Sequence, residues 1–264
     1  MFVGLSFTDP VKLFDVTGRR VLITGAGSGI GFALAHGLGA AGAHVILNGR
    51  NQDKLESAKA KLAEAGIAVE IAAFDVSDAN ALETAVASIE AEGPIDVLIN
   101  NAGTNVRGRM ADISADAFRT VMGSNAEGLF LTSRAVSVHM QKRKAGKIIN
   151  ICSALSKLGR KGAVAYSGSK AAAAMMTASM CDELAGDNIQ INGIAPGYFL
   201  TELTQAIKDD PDHEAWLMAR TPAARWGQLE ELVGAAIFLS SDASSFVNGH
   251  VLTVDGGLTS VMGG

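Results

Sequence analysis

The chain has 264 residues, a formal net charge of −5 and 48% hydrophobic residues. That length gives a substantial core in one large α/β domain or two small ones, the acidic balance argues against a general nucleic-acid binder, and no apolar run reaches the roughly 18 residues of a membrane span. The N-terminus, MFVGLSFTDP, lacks the basic region and cleavage site of a signal peptide, and Cys152 and Cys181 make no disulfide framework, so a reducing cytoplasm fits best.

Residues 1–17 read as a loose N-terminal arm and 18–264 as one domain. A strand at 20–24 enters the glycine-rich turn Thr24-Gly-Ala-Gly-Ser-Gly-Ile-Gly31, and a helix follows through about residue 41. Strands are expected at 44–48, 69–74 and 97–100, with helices at 53–65 and 79–91 between them; Gly93-Pro94 stops the last. The second half continues with helix 124–142, strand 147–152, helix 166–184 and strand 189–194. An irregular stretch, 195–221, holds Pro196-Gly197 and Pro211 with one or two short helices, and is a candidate lid. Helix 230–239 and strand 250–254 complete the pattern. Continuous apolar strands alternating with helices predict right-handed βαβ units, hence an α/β, doubly wound parallel sheet covered on both faces.

Three side chains then converge. Tyr166 and Lys170 are four apart, so a helix puts them on one face. Ser153 ends a strand at its carboxyl side, where open α/β sheets bind ligands. A phenol titrates near pH ~10; a neighbouring ammonium favours its ionised form, and lowering the pKa by about 3 units requires about 4 kcal/mol. In isolation a Tyr-x-x-x-Lys pair is usually a chance of helical spacing, so the other motifs decide.

The glycine-rich turn joins a strand to a helix, the context in which backbone approaches a pyrophosphate and a helix N-terminus faces it. The glycines follow Gly25-x-x-x-Gly29-x-Gly31 and not G-x-G-x-x-G. Gly25, Gly27, Ser28, Gly29, Ile30 and Gly31 are the candidate cofactor contacts here. After the second strand, Leu47-Asn-Gly-Arg50 offers no carboxylate for the ribose of NAD but an arginine suited to the 2′-phosphate of NADP; a solvated surface arginine is the alternative. Asp75-Val76 ends the third strand where an adenine ring would rest.

Taken in order, the Gly25–Gly31 turn, Asn100-Asn-Ala-Gly103, Asn125, Ser153, Tyr166-x-x-x-Lys170 and Pro196-Gly197 resemble the short-chain dehydrogenases/reductases across nearly the whole chain. The resemblance implies a doubly wound Rossmann domain, a tetramer and a catalytic tetrad; the cofactor expected from Arg50 is NADP(H). Tyr166 would be the general acid/base, Ser153 would polarise the carbonyl, and Lys170 would hold the nicotinamide ribose and lower the Tyr166 pKa. Asn125 would fix a water linking Lys170 to solvent. Asn101, Ala102, Gly103, Pro196, Gly197, Phe199 and Thr201 would contact the cofactor.

A narrower resemblance, to gluconate 5-dehydrogenases, rests on Asn150-Ile-Cys-Ser153, Leu158-Gly-Arg160, Asn192-Gly-Ile-Ala-Pro-Gly-Tyr-Phe199, Arg220-Thr-Pro-Ala-Ala-Arg-Trp-Gly227 and Phe246-Val-Asn-Gly249. The chain departs from that pattern in having Val106 before Arg107 where paired arginines are usual, and Lys157 where glutamate is usual. Independently of family, two loops carry Arg107, Arg109, Lys157, Arg160 and Lys161, with Asp112 the nearest carboxylate, which suggests an anionic substrate. Arg109 and Lys161 are expected to point into solvent. Arg107, Ser153, Lys157, Arg160 and Tyr166 are the candidate substrate contacts, and no histidine has metal-ligand spacing. The leading reading is a ketone reductase of sugar acids. A 3-oxoacyl thioester or lipophilic ketone reductase, and a cofactor-binding sensor without turnover, stay open.

Overall fold

Val21 and Ile23 pack to one side of their strand and Leu22 to the other, and this alternation, repeated from strand to strand, builds two cores. A computed structural model describes residues 9–202 and 204–262, apart from the side chain of Ala206. Its seven strands are β1 Arg20–Ile23, β2 His44–Gly49, β3 Val69–Ala73, β4 Val97–Asn100, β5 Gly146–Ile151, β6 Ile189–Pro196 and β7 Val251–Val254. They pair in the order β3-β2-β1-β4-β5-β6-β7, every pair parallel. On one face Val21, Ile23, Val45 and Leu47 meet α1 (Gly29–Ala40), α2 (Gln52–Glu64) and α9 (Val233–Ser240). On the other, Leu22, Ile46, Leu98 and Ile148 meet α3 (Ala79–Glu92) and α5 (Gly128–Arg143). Strand order reverses between β1 and β4, and the crevice at their carboxyl ends is where such sheets bind ligands.

One helix escaped the sequence reading. α4 (Ala115–Met122) starts at Ser114, whose hydroxyl accepts from Ala117 N at 3.1 Å. A single π-helical turn, Gly123–Glu127, joins α4 to α5, so the helix expected from residue 124 is the second half of a longer interrupted one. Such turns recur at functional positions, and this one carries Asn125. α6 (Val164–Leu184) bears Tyr166 and Lys170. α7 (Gln205–Lys208) and α8 (Pro211–Arg220) are the short helices of the 195–221 stretch, the second capped by Asp210.

The described part of the arm is less loose than its composition suggests. Pro10–Phe14 forms a 3-10 turn capped by Asp9. Phe14 stacks obliquely on Phe238 of α9 with ring centroids 6.2 Å apart, and Val16 is buried. Residues 1–8 lie outside the described part.

Candidate active site

The crevice between β1 and β4 opens into a cleft of about 860 Å³. Its floor is backbone, held by hydrogen bonds local to two turns. Thr24 Oγ1 accepts from the amides of Asn101 and Ala102 at 3.0 Å each, and Asn101 Nδ2 donates to the carbonyls of Thr24 and Gly25 at 2.9 and 3.0 Å. Gly25 sits at φ +63°, and a Cβ there would be 2.8 Å from Ala102 Cα. Gly31 has a similar constraint, since its Cβ would fall 2.5 Å from both Gly25 O and Asn101 Nδ2. Gly25, Ser28, Gly29 and Ile30 line the cleft as expected. Gly27 and Gly31 do not. Gly31 serves close packing of α1 against the turn, and Gly27 backs onto Lys54.

At the far end of the cleft Arg50, 76% exposed, holds its Nη1 3.5 Å from Asp75 Oδ2. Partial burial works against the Asp75 charge, yet hydrogen bonds from Ser77 and the Arg50 guanidinium hold its carboxyl below the ordinary range. Val76, Ala102 and Gly103 line the middle; Pro196, Gly197, Phe199 and Thr201 line the wall by β6. Lys54 and Glu202 also line it, 3.8 Å apart, and neither was anticipated.

The three convergent side chains meet at the inner end of this cleft. Ser153 begins a 3-10 turn, its Oγ accepting from Leu155 N at 3.1 Å. Ser156 Oγ accepts from Ser153 N and donates to Lys170 O at 2.8 Å, tying that turn to α6. Lys170 is buried, and its Nζ donates to Ile151 O at 2.6 Å, 5.9 Å from the Tyr166 ring centroid. Burial pushes the Lys170 pKa down. Burial pushes the Tyr166 phenol up, opposed by the Ser153 hydroxyl and the Arg107 guanidinium. The net direction for Tyr166 is thus upward and not the lowering expected from Lys170, whose ammonium donates to a backbone carbonyl. Asn125 is held by three side-chain hydrogen bonds. Its Oδ1 accepts from Thr104 N at 2.7 Å, and its Nδ2 donates to Thr104 O and Ser169 Oγ, so the side chain clamps the loop after β4 onto α6.

A second cavity, of about 240 Å³, opens from Ser153 and Tyr166 toward the 195–221 stretch. Arg107 and Arg160 line it, as the sequence suggested. Burial and the neighbouring Arg160 charge hold Arg107 below its usual pKa. Among the described residues neither arginine forms an ion pair with a carboxylate. Lys157 is exposed and does not line this cavity, contrary to expectation, whereas Lys161 borders it and is solvent-exposed as expected. The 3-10 turn Ala154–Ser156 redirects the chain so that Lys157 leaves the site and Arg160 returns to it. Asn105, Tyr198 and His213 line the same cavity and were missed. Only the Pro-Gly-Tyr-Phe stretch hinted at Tyr198.

Among the described residues no group of three or more His, Cys, Asp or Glu could hold a metal ion, and no helix is long and apolar enough to cross a membrane.

This geometry has close counterparts. The 5-keto-D-gluconate 5-reductase of Escherichia coli K12 is 51% identical over 247 residues, covering 93% of this chain and 97% of that protein. The gluconate 5-dehydrogenase of Gluconobacter oxydans is 49% identical over 248 residues, 94% of this chain and 97% of that one. A crystal structure of a gluconate 5-dehydrogenase from Burkholderia cenocepacia, in complex with NADP and tartrate, superposes with a TM-score of 0.93 at 46% identity, covering 96% of this chain and all of that one. A family profile described as short chain dehydrogenase matches residues 19–212, a span that holds the glycine-rich turn, Ser153, Tyr166 and Lys170. With that span matched and half-identical relatives along nearly its full length, the chain belongs to the short-chain dehydrogenase family.

Proposed function

We propose that the protein is an NADP-dependent oxidoreductase that interconverts a secondary alcohol and a ketone on a sugar acid, gluconate and 5-ketogluconate being the pair to try first. The observation that carries this is the second cavity, where Ser153 and Tyr166 face the same space as two arginines with no carboxylate partner among the described residues. Two guanidinia close enough to repel each other favour an anion between them, and a carboxylate is the group whose geometry matches theirs. The names of the relatives, a 5-keto-D-gluconate 5-reductase and a gluconate 5-dehydrogenase, support the same reading.

NADP(H), when bound, supplies or accepts the hydride and in its oxidised form adds a positive charge that favours the phenolate. The cleft fits such a group: its floor is bare backbone where a pyrophosphate needs close approach, and Arg50 stands at the end where a 2′-phosphate would be recognised. Ser28, Gly29 and Ile30 would hold the pyrophosphate, Asp75 and Val76 the adenine, and Lys170 the nicotinamide ribose. In reduction, Tyr166 gives its proton to the carbonyl oxygen while the carbon gains hydride; in oxidation it takes that proton back. Burial keeps the phenol protonated near neutrality, which suits the acid role. Ser153 donates a hydrogen bond to the same oxygen and polarises it. Arg107 and Arg160 hold the carboxylate.

The 195–221 stretch acts as a lid on this reading, since Gly197, Tyr198, Thr204 and His213 close one side of the substrate cavity. Assembly as a homotetramer in the cytoplasm belongs to the same proposal. Phe130 and Val138 of α5 and Met175 of α6 are exposed apolar side chains that subunit contact would cover. Light scattering at micromolar concentration tests the tetramer, and a monomer would refute it. The activity is tested with a panel of polyols, aldonates and keto acids, each with NADP(H) and NAD(H), followed by NADPH absorbance. Turnover of a neutral lipophilic ketone with none of any aldonate or ketoaldonate would sink the sugar-acid reading.

A further inference from the structure

Arg160 is held in an unusual way. Its Cζ lies 5.4 Å from the ring centroid of Tyr198 and 5.4 Å from that of Trp216, and its Nη1 donates to the Tyr198 hydroxyl. Tyr198 is steadied in turn by Trp226, whose ring meets it edge-on at 6.0 Å and 88°. Glu214, on the same helix as Trp216, is engaged by Lys208 and by Trp226 Nε1, leaving Arg160 to the aromatic rings. A guanidinium between two aromatic faces keeps its charge, loses little of its hydrogen-bonding capacity and is fixed in direction. Trp216 is 46% exposed, so its ring adds little to the core.

We infer that Trp216 and Tyr198 are positioning residues for the carboxylate end of the substrate: they aim the Arg160 guanidinium into the cavity it shares with Arg107 and Tyr166. The inference rests on the sugar-acid reading above. Its consequence is that the anion site spans two segments, the loop carrying Arg160 and the lid carrying Tyr198 and Trp216. Packing of the lid onto that loop completes it. A flexible arginine ordered before the substrate arrives need not be ordered by it, and this pre-organisation favours binding of the anion. Arg107, which repels Arg160, would otherwise drive the unanchored guanidinium toward solvent.

The test is a double-mutant cycle with 5-ketogluconate and NADPH. Trp216→Leu should raise KM about 3- to 30-fold, the range of a cation–π contact, with a smaller fall in kcat and no change in the Kd of NADPH. Trp216→Phe, which keeps an aromatic face, should recover most of that loss. Tyr198→Phe keeps the stacked ring but removes the acceptor, and should raise KM by less than Trp216→Leu; it also serves should Trp216→Leu fail to fold. In an Arg160→Leu background, each of these changes should have almost no further effect on KM. Equal effects of Trp216→Leu and Tyr198→Phe with and without Arg160 would overturn the inference, since both residues would then act on lid stability alone. Arg160→Leu without any rise in KM would overturn it too. A wild-type enzyme that turns over no aldonate or ketoaldonate is a different failure, that of the proposed function itself, and the inference would fall with it.

Discussion

The cofactor cleft and the substrate cavity share Ser153 and Tyr166, yet one is made of backbone and the other of long side chains. In the cleft, the turns after β1 and β4 are stapled by Thr24 and Asn101, and two glycines are so tightly enclosed that a methyl group would meet backbone. In the cavity, the walls are Arg107, Arg160, Tyr198 and His213, brought from segments far apart in sequence. Backbone cradles are specified by a few residues in a row and tolerate little change. Side-chain walls are specified by packing between remote elements, so they vary while the scaffold stays put.

The largest effect should appear where the two regions meet. Tyr166→Phe removes the acid while keeping the ring, so turnover should fall by ~10²–10⁴-fold with NADPH binding nearly intact. Stopped-flow or steady-state rates alongside NADPH titration check this. Wild-type kcat in the variant would mean that the cleft and the cavity do not share their chemistry at this residue.

Within the cleft, selectivity for NADP(H) should depend on Arg50. A charge-assisted hydrogen bond is worth roughly 1.5–3 kcal/mol, so Arg50→Ala should reduce the preference for NADPH over NADH by about 10- to 150-fold. Dissociation constants for both cofactors, with both proteins, decide it. Equal affinities in the wild type, or an unchanged preference in the variant, would show that the exposed Arg50 side chain pairs with Asp75 and does nothing more.

Gly31→Ala tests the rigidity claimed for the cradle. With backbone only 2.5 Å from the added methyl, overpacking should destabilise the fold by about 1–3 kcal/mol and weaken NADPH binding. A wild-type urea midpoint would show that the turn gives way more easily than its contacts imply.

The same contrast explains what could be read from the sequence. Strand order, the glycine-rich turn and the Ser153, Tyr166 and Lys170 set all follow from short-range patterns: continuous apolar strands, glycines at fixed spacing, and a four-residue helical offset. Gly31 is read as a cofactor contact from the sequence because spacing cannot distinguish a glycine that admits a ligand from one that admits a neighbouring turn. α4 was missed because it is only eight residues long, buries a single position at Val121 and runs straight into the π turn. Tyr198 and Trp216 became visible only once the lid was seen against Arg160. The direction of the Lys170 ammonium was equally out of reach. Helical spacing brings it near Tyr166, but the Ile151 carbonyl that captures it belongs to a strand 19 residues away.

The smallest expected effect concerns Lys157, and it separates the two ways of reading the substrate region. By its place in the pattern of related enzymes, lysine in place of glutamate should redistribute charge around the substrate, and Lys157→Glu should weaken an anion. In the structure Lys157 is exposed and outside the cavity. Its influence on a bound carboxylate then passes through solvent, where charges are screened over about 8 Å at physiological ionic strength, and exposed charge pairs contribute roughly 0–1 kcal/mol. Lys157→Glu should therefore change KM for a ketoaldonate by no more than about 5-fold, and the change should shrink as salt is added. Arg160→Leu, measured beside it, should have the greater effect and keep most of it in high salt, because its partner would be a direct charge-assisted hydrogen bond. A salt-resistant loss on Lys157→Glu as large as that on Arg160→Leu would mean that the loop after Ser153 refolds around the substrate. The departure at position 157 would then govern specificity, and the present cavity walls would be those of an open state only.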